Sequence, residues 1–182
     1  MNAVEMVGLE SVALRSSVPE NIFSSAVANL LATNVEELRS EVGRIHLRGR
    51  DYIEKSISNY KFSDLPLTVF DSNGVRIDVY HWNSRTIGIH SHGFVGAFTV
   101  LEGESLNLEY SFSASQLIDR SLELGVLSAI SARIVRRGDA VAITPFGSFI
   151  HNNWHFNVPC TTLVIRSVSA GDGKQLSRRY IG

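Results

Sequence analysis

The chain has one cysteine, Cys160, in 182 residues. One cysteine cannot form an internal disulfide framework, so it reads as a small buried hydrophobe. Charge of either sign is also short of surplus, with 17 basic residues against 18 acidic ones and a net charge near -1. Neither half carries the basic excess that phosphate neutralisation requires, which sets nucleic acid aside as a partner. The opening MNAVEMVGLESVALRSS has no basic segment followed by a continuous apolar stretch, and no apolar run approaches the ~20 residues of a membrane helix. The expectation is a cytoplasmic protein with no membrane partner.

Motif absences narrow the chemistry further. There is no G-x-S-x-G elbow, phosphate-binding loop, dinucleotide fingerprint or Cys-x-x-Cys zinc pattern, so nothing supports nucleophilic catalysis by serine or cysteine. Internal repeats, low-complexity tracts and an interdomain linker are missing too. What remains is a globular composition, 44% apolar and 19% charged, long enough for one domain with a buried core.

The first third has helical texture. Ser17-Val18-Pro19-Glu20 has the form of a helix start, and Phe23, Val27, Leu30 and Leu31 follow at helical spacing, predicting a helix near 18–33. Asn34-Val35-Glu36-Glu37 repeats the capping pattern ahead of Val35, Leu38, Val42 and Ile45, and Tyr52, Ile53, Ile57 and Tyr60 suggest a third short helix. From about Leu65 the pattern changes to short β-rich segments: LTVFD, VRIDVYHW, TIGIHSH, AFTVLEG, LNLEYSF, SAISARIV, AVAITPF and CTTLVIRSV. Turn-prone SNG, NSR, GES and RRGD separate them, and Ser115–Leu124 is the one candidate for an intervening helix. The expected architecture is mainly β, an antiparallel sandwich or small barrel over 65–182, with a helical extension over 1–64 packed on it as one structural unit.

The chain has six histidines, and two of them, His90 and His92, lie one residue apart in IGIHSHGFVGAFTVLEGE. Strand side chains alternate, so these two face the same way, roughly 6–7 Å apart. Paired imidazoles suit iron, copper, nickel or zinc if another strand supplies further donors; hydrogen-bonded histidines are the alternative reading. The partners to seek are His151 and His155 in GDAVAITPFGSFIHNNWH. Pro145, Gly147 and Asn152-Asn153 make that segment a turn feeding a strand rather than a helix. One of the two is expected as third ligand, with the other fixing orientation. His81, between Tyr80 and Trp82, faces away from both, and His46 reads as a solvated helix residue. Phe94, Phe98, Trp154 and Phe156 read as core or pocket wall.

Gly88-x-His90-x-His92 with the strand ending at Gly103 resembles the first cupin motif, and Gly138-Asp139 through Pro145-x-Gly147 to His151 resembles the second, with one extra residue before the histidine. The two motifs cover roughly 75–168. Within cupins, VRIDVYHW, IHSHG and VLEGE are similar to the cysteine dioxygenase group of thiol dioxygenases. The resemblance implies a double-stranded β-helix of jelly-roll type holding a mononuclear non-haem Fe(II) on His90, His92 and His151, with O2 as co-substrate. Many cupins carry a glutamate ligand where this chain has Gly96, which leaves a three-histidine site. A metal there keeps more positive charge and favours an anionic thiolate, enolate or carboxylate. The arginine and tyrosine that serve cysteine in that group are replaced here by Leu65-Pro66 and Leu163-Val164-Ile165-Arg166. Cysteine is therefore not the expected substrate; Arg76 or Arg166 is the candidate carboxylate clamp, Arg166 the one carried forward, with surface arginines as the alternative reading. His155 is the candidate for proton handling or for orienting a ligand. The expected function is an iron cupin oxygenase acting on a small thiol or carboxylate, with a homodimer as the candidate assembly. The alternatives are a non-oxidative isomerase, decarboxylase or hydrolase using Zn, Ni or Mn, and a non-catalytic ligand-binding cupin.

Overall fold

A computed structural model of the chain describes residues 1–47, 63–119, 122–145, 147–168 and 178–181. Among these residues three helices precede nine strands: α1 (Ala3–Ser17), α2 (Glu20–Thr33), α3 (Val35–Leu47), β1 (Leu65–Ser72), β2 (Val75–Trp82), β3 (His90–Ser91), β4 (Gly96–Glu102), β5 (Ser105–Leu117), β6 (Glu123–Val135), β7 (Ala140–Ile143), β8 (Ile150–His155) and β9 (Cys160–Ser167). The helix suggested by Tyr52, Ile53, Ile57 and Tyr60 lies outside the described residues.

The strands form two antiparallel sheets, ordered β1-β2-β9-β4-β7 and β3-β8-β5-β6. The first sheet is buried on both faces. Along β2, Val75, Ile77 and Val79 pack with Val7, Phe23, Leu31 and Leu38 of the helices, and Tyr80 and Trp82 join Phe98, Val100, Cys160 and Val164 in the barrel interior. Two cores on either side of one sheet explain why β4 and β9 read as unbroken runs without alternation. The helices close the outer face of that sheet; the second sheet leaves its outer face to solvent, where Trp154 is 46% exposed.

Local chemistry accounts for the boundaries. Asn73 and Gly74 both take positive φ, 48° and 77°, the two-residue hairpin turn that joins β1 to β2. Gly103, with φ of 89°, turns β4 into β5, where a Cβ would lie 3.2 Å from the Cys160 sulfur. Gly96 is required by crowding, because a Cβ there would collide with the Ile165 carbonyl oxygen of the adjacent β9.

The helical extension expected over 1–64 contains a helix ahead of the stripe named at 18–33: α1 forms over Ala3–Ser17, and Asn2 supplies its cap, its side chain accepting from the Glu5 N–H at 2.8 Å while Glu5 returns to the Asn2 N–H. Three expectations change. Ser17 closes α1 instead of capping α2, which starts after Pro19 with no side-chain cap. Asn34 donates back to the Leu30 carbonyl at 2.8 Å and so caps the end of α2. The described residues of Ser115–Leu124 form no helix: β5 reaches Leu117 and β6 starts at Glu123, and these two residues pair. The stripes of α2 and α3 do face inward as expected, with Phe23, Val27, Leu31, Leu38, Val42 and Ile45 buried.

Candidate metal centre

The three histidines meet through one strand pairing and one short bridge. β3 pairs with β8 so that His90 stands opposite His151, and His92 bridges to Pro145 just beyond. All three are buried, and a potential ligand atom from each lies within 4.8 Å of the others. The turn feeding a strand, expected from Pro145, Gly147 and Asn152-Asn153, lies at Gly147 with φ of 83°; Asn152 and Asn153 are already in the strand, so His151 and His155 both belong to β8 itself. Its buried row is His151, Asn153 and His155, with Trp154 pointing outward. Four residues of strand separate the two histidines by roughly 13 Å. His151 shares the cluster with His90 and His92, and His155 does not.

Hydrogen bonding assigns the ring nitrogens. Glu109 accepts from Asn107 Nδ2 at 3.0 Å, which turns Asn107 Oδ1 toward His151 Nδ1, 2.8 Å away. An amide oxygen only accepts, so His151 carries its proton on Nδ1 and presents a bare Nε2. The Gly88 carbonyl does the same for His90, accepting from Nδ1 at 2.8 Å. His92 Nε2 then stands 3.0 Å from His151 Nε2. Two donors at right angles on a metal with bonds of about 2.1 Å would be about 3.0 Å apart, so the donor set fits a divalent ion. The ordinary imidazole range is displaced in the same sense: burial, followed by the neighbouring His90, holds His92 and His151 well below it, and burial lowers His90 as well. Neutral rings are what ligation needs.

A cavity of about 30 Å³, room for a water or two, opens on the cluster. Tyr80, Trp82, Ile87, Phe94, Phe98 and Val164 supply most of its wall, and Asn153 and Thr162 supply polar groups. Phe149 packs on the His151 ring at 4.4 Å between centroids. Phe94 and Phe98 thus take the wall positions read from the sequence; Trp154 and Phe156, read the same way, are exposed instead.

The other candidates do not line this cavity themselves. His155 is buried, bonded to Ser105 Oγ at 2.7 Å and stacked on Trp82 at 5.2 Å; burial lowers its titration to about 4. Arg166 reaches into the barrel with its Nε 2.9 Å from Asp78 Oδ2, and Asp78 also accepts from Thr68 and Tyr80. His81 bonds Thr161 and is half-buried, and the His46 side chain lies outside the described residues. Cys160 is buried and free, with burial pushing its thiol upward. Asn107, Glu109 and Asn153 escaped the sequence reading. In LNLEYSF an apolar-in alternation would bury Leu106 and Leu108, yet Asn107 is the buried residue and its flanking leucines are half-exposed. A lone asparagine between leucines was the available signal.

The fold and the cluster together define a class: a mainly β, double-stranded β-helix fold of two antiparallel sheets with three buried histidines between them. No protein-family model matches the chain, and no curated protein does. Among solved structures it is similar to the hydroquinone 1,2-dioxygenase PnpCD in complex with Cd2+ and 4-hydroxybenzonitrile, at 12% identity and TM-score 0.42 over 57% of this chain and 63% of that one. It is also similar to the DMSP lyase DddQ from Ruegeria pomeroyi, at 16% identity and TM-score 0.42 over 62% and 49%. A third similarity is to an uncharacterised double-stranded β-helix protein from Klebsiella pneumoniae, at 15% identity and TM-score 0.41 over 70% and 87%. The chain spans about half to two thirds of the length of the first of these structures. No described helix is long and apolar enough to cross a membrane.

Proposed function

We propose that the protein is a mononuclear non-haem iron oxygenase that acts on a small anionic donor, a thiolate foremost, with His90, His92 and His151 as the ligands. The observation that carries this reading is the convergence of three neutral imidazoles, two of them with Nε2 atoms 3.0 Å apart, on a cavity walled by aromatic rings. An all-imidazole set adds no negative charge, so an anionic substrate donor completes the balance. Fe(II) held there would supply the redox chemistry that lets a coordinated substrate react with O2. The chain contributes the rest. Asn107 and Gly88 hold the tautomers of His151 and His90, and Phe94, Phe98 and Trp82 keep water away from the reacting centre. Arg166 and His155 support the barrel around the site, the first tying β9 to β2 through Asp78 and the second seating Trp82 from behind.

Metal analysis after anaerobic purification tests the reading. Iron near one equivalent, with O2 uptake when small thiols are added, supports it; tightly held zinc, or no metal at all, overturns it in favour of a non-oxidative or ligand-binding cupin. Replacing His90, His92 or His151 by alanine should each remove most of the metal, whereas His155→Ala should keep it. The opposite pattern for His151 and His155 would refute the ligand assignment.

A further inference from the structure

Asn153 is the next inward residue of β8 after His151, about 6.6 Å further along the strand, and it lines the same cavity. The residue is 6% exposed, and its Oδ1 is sealed from solvent with no hydrogen-bond partner among the described residues. A buried acceptor left unmade costs roughly 1–3 kcal/mol, so a position that keeps one beside a cavity points to a ligand that fills it. The remaining described wall offers no Asp, Glu, Lys or Arg. Apart from the three histidines, its other polar groups are engaged: Thr162 accepts the Trp82 indole N–H at 2.9 Å, and the Tyr80 hydroxyl donates to Asp78 Oδ2 at 3.3 Å.

Resting on the metal-site reading above, we infer that Asn153 selects the substrate by accepting a hydrogen bond from a neutral donor, a hydroxyl or an amide N–H, on a tail that carries no charge. A carboxylate tail would meet an amide oxygen and apolar rings, and the Arg166 guanidinium, 5.7 Å over the Phe94 ring, is already ion-paired with Asp78. An ammonium tail would gain one neutral acceptor and no counter-charge, which leaves its desolvation uncompensated. The small free volume limits the tail to a few heavy atoms.

Cobalt-loaded protein provides a test that does not depend on turnover, since thiolate binding to the metal is read from its visible charge-transfer absorption. Four probes differ only in the tail: 2-mercaptoethanol, ethanethiol, 2-aminoethanethiol and 3-mercaptopropanoate. The expected result is that 2-mercaptoethanol binds tightest, about tenfold or more tighter than ethanethiol, and that Asn153→Leu retains cobalt while this difference collapses. If Asn153→Leu does not fold, Asn153→Asp replaces it, and 2-aminoethanethiol should then become the tightest probe. Tightest binding of the carboxylate or ammonium probe by the unaltered protein overturns the inference, as does an unchanged order in the variant. Failure of the unaltered protein to take up cobalt overturns the metal reading itself and the inference with it.

Discussion

At the scale of the residue, Asn107 is the group through which β5 reaches the candidate metal centre. Its carboxamide is pinned at one end by Glu109 and at the other fixes the proton of His151. Asn107→Leu keeps the volume and removes both bonds, so the His151 ring loses its tautomer preference. Metal affinity should fall about 10- to 100-fold, measured by chelator competition, and Asn107→Asp should recover much of it because a carboxylate still accepts from Nδ1. The histidines were legible in the sequence because same-face spacing and a distant third imidazole are features of ligand chemistry. Asn107 was not, because strand alternation is usually read with apolar residues inward. Here the interior of one sheet is polar where it serves the site, and its leucines turn toward the outside.

At the scale of the element, Gly96 shows how a strand can exclude a ligand. A glycine in place of the carboxylate of many cupins removes a ligand, and no side chain can stand there, because β4 approaches the Ile165 carbonyl of β9 too closely. Gly96→Ala should lower unfolding free energy by roughly 2–4 kcal/mol in urea titrations, and Gly96→Glu should lose the fold before it gains a fourth ligand. The same scale holds the misread elements. The β5–β6 hairpin was split by a supposed helix because Ser115–Leu124 is short of β-branched residues, while its pairing comes from long-range register that no local window contains. The start of α2 was misplaced because Ser17 has capping chemistry and spends it at the end of α1, bonding the Ala13 carbonyl at 2.7 Å.

At the scale of the molecule, the two-core arrangement buries titratable rings deep inside the barrel, and acid should act on that. His155 titrates near 4 in the folded chain and near its ordinary 6.5 when unfolded, so between those values the unfolded chain binds more protons. Stability is therefore complete above about pH 6.5 and falls as pH drops toward 4, by on the order of 2 kcal/mol from this residue. Thermal melts of metal-free protein from pH 7 to pH 4 should show the decline, and His155→Gln should flatten part of it. A slope unchanged by that substitution would assign the acid sensitivity elsewhere. Mainly β character and a helical extension were readable in advance from a change of period near Leu65. The layering of helices on one sheet was not, because it follows from which face of β2 and β9 each core claims.

The inward row of β8 gives metal uptake a second meaning. His151, Asn153 and His155 alternate with Asn152 and Trp154, so a slip of one residue against β5 would turn the third imidazole to solvent and bring Trp154 inside. On the proposed ligand set a misregistered barrel would not hold the ion, and a bound ion would hold the register. Stoichiometric metal would then also be a proofreading signal for this strand, and folding in the presence of the ion should give fewer slipped and aggregating chains than folding without it.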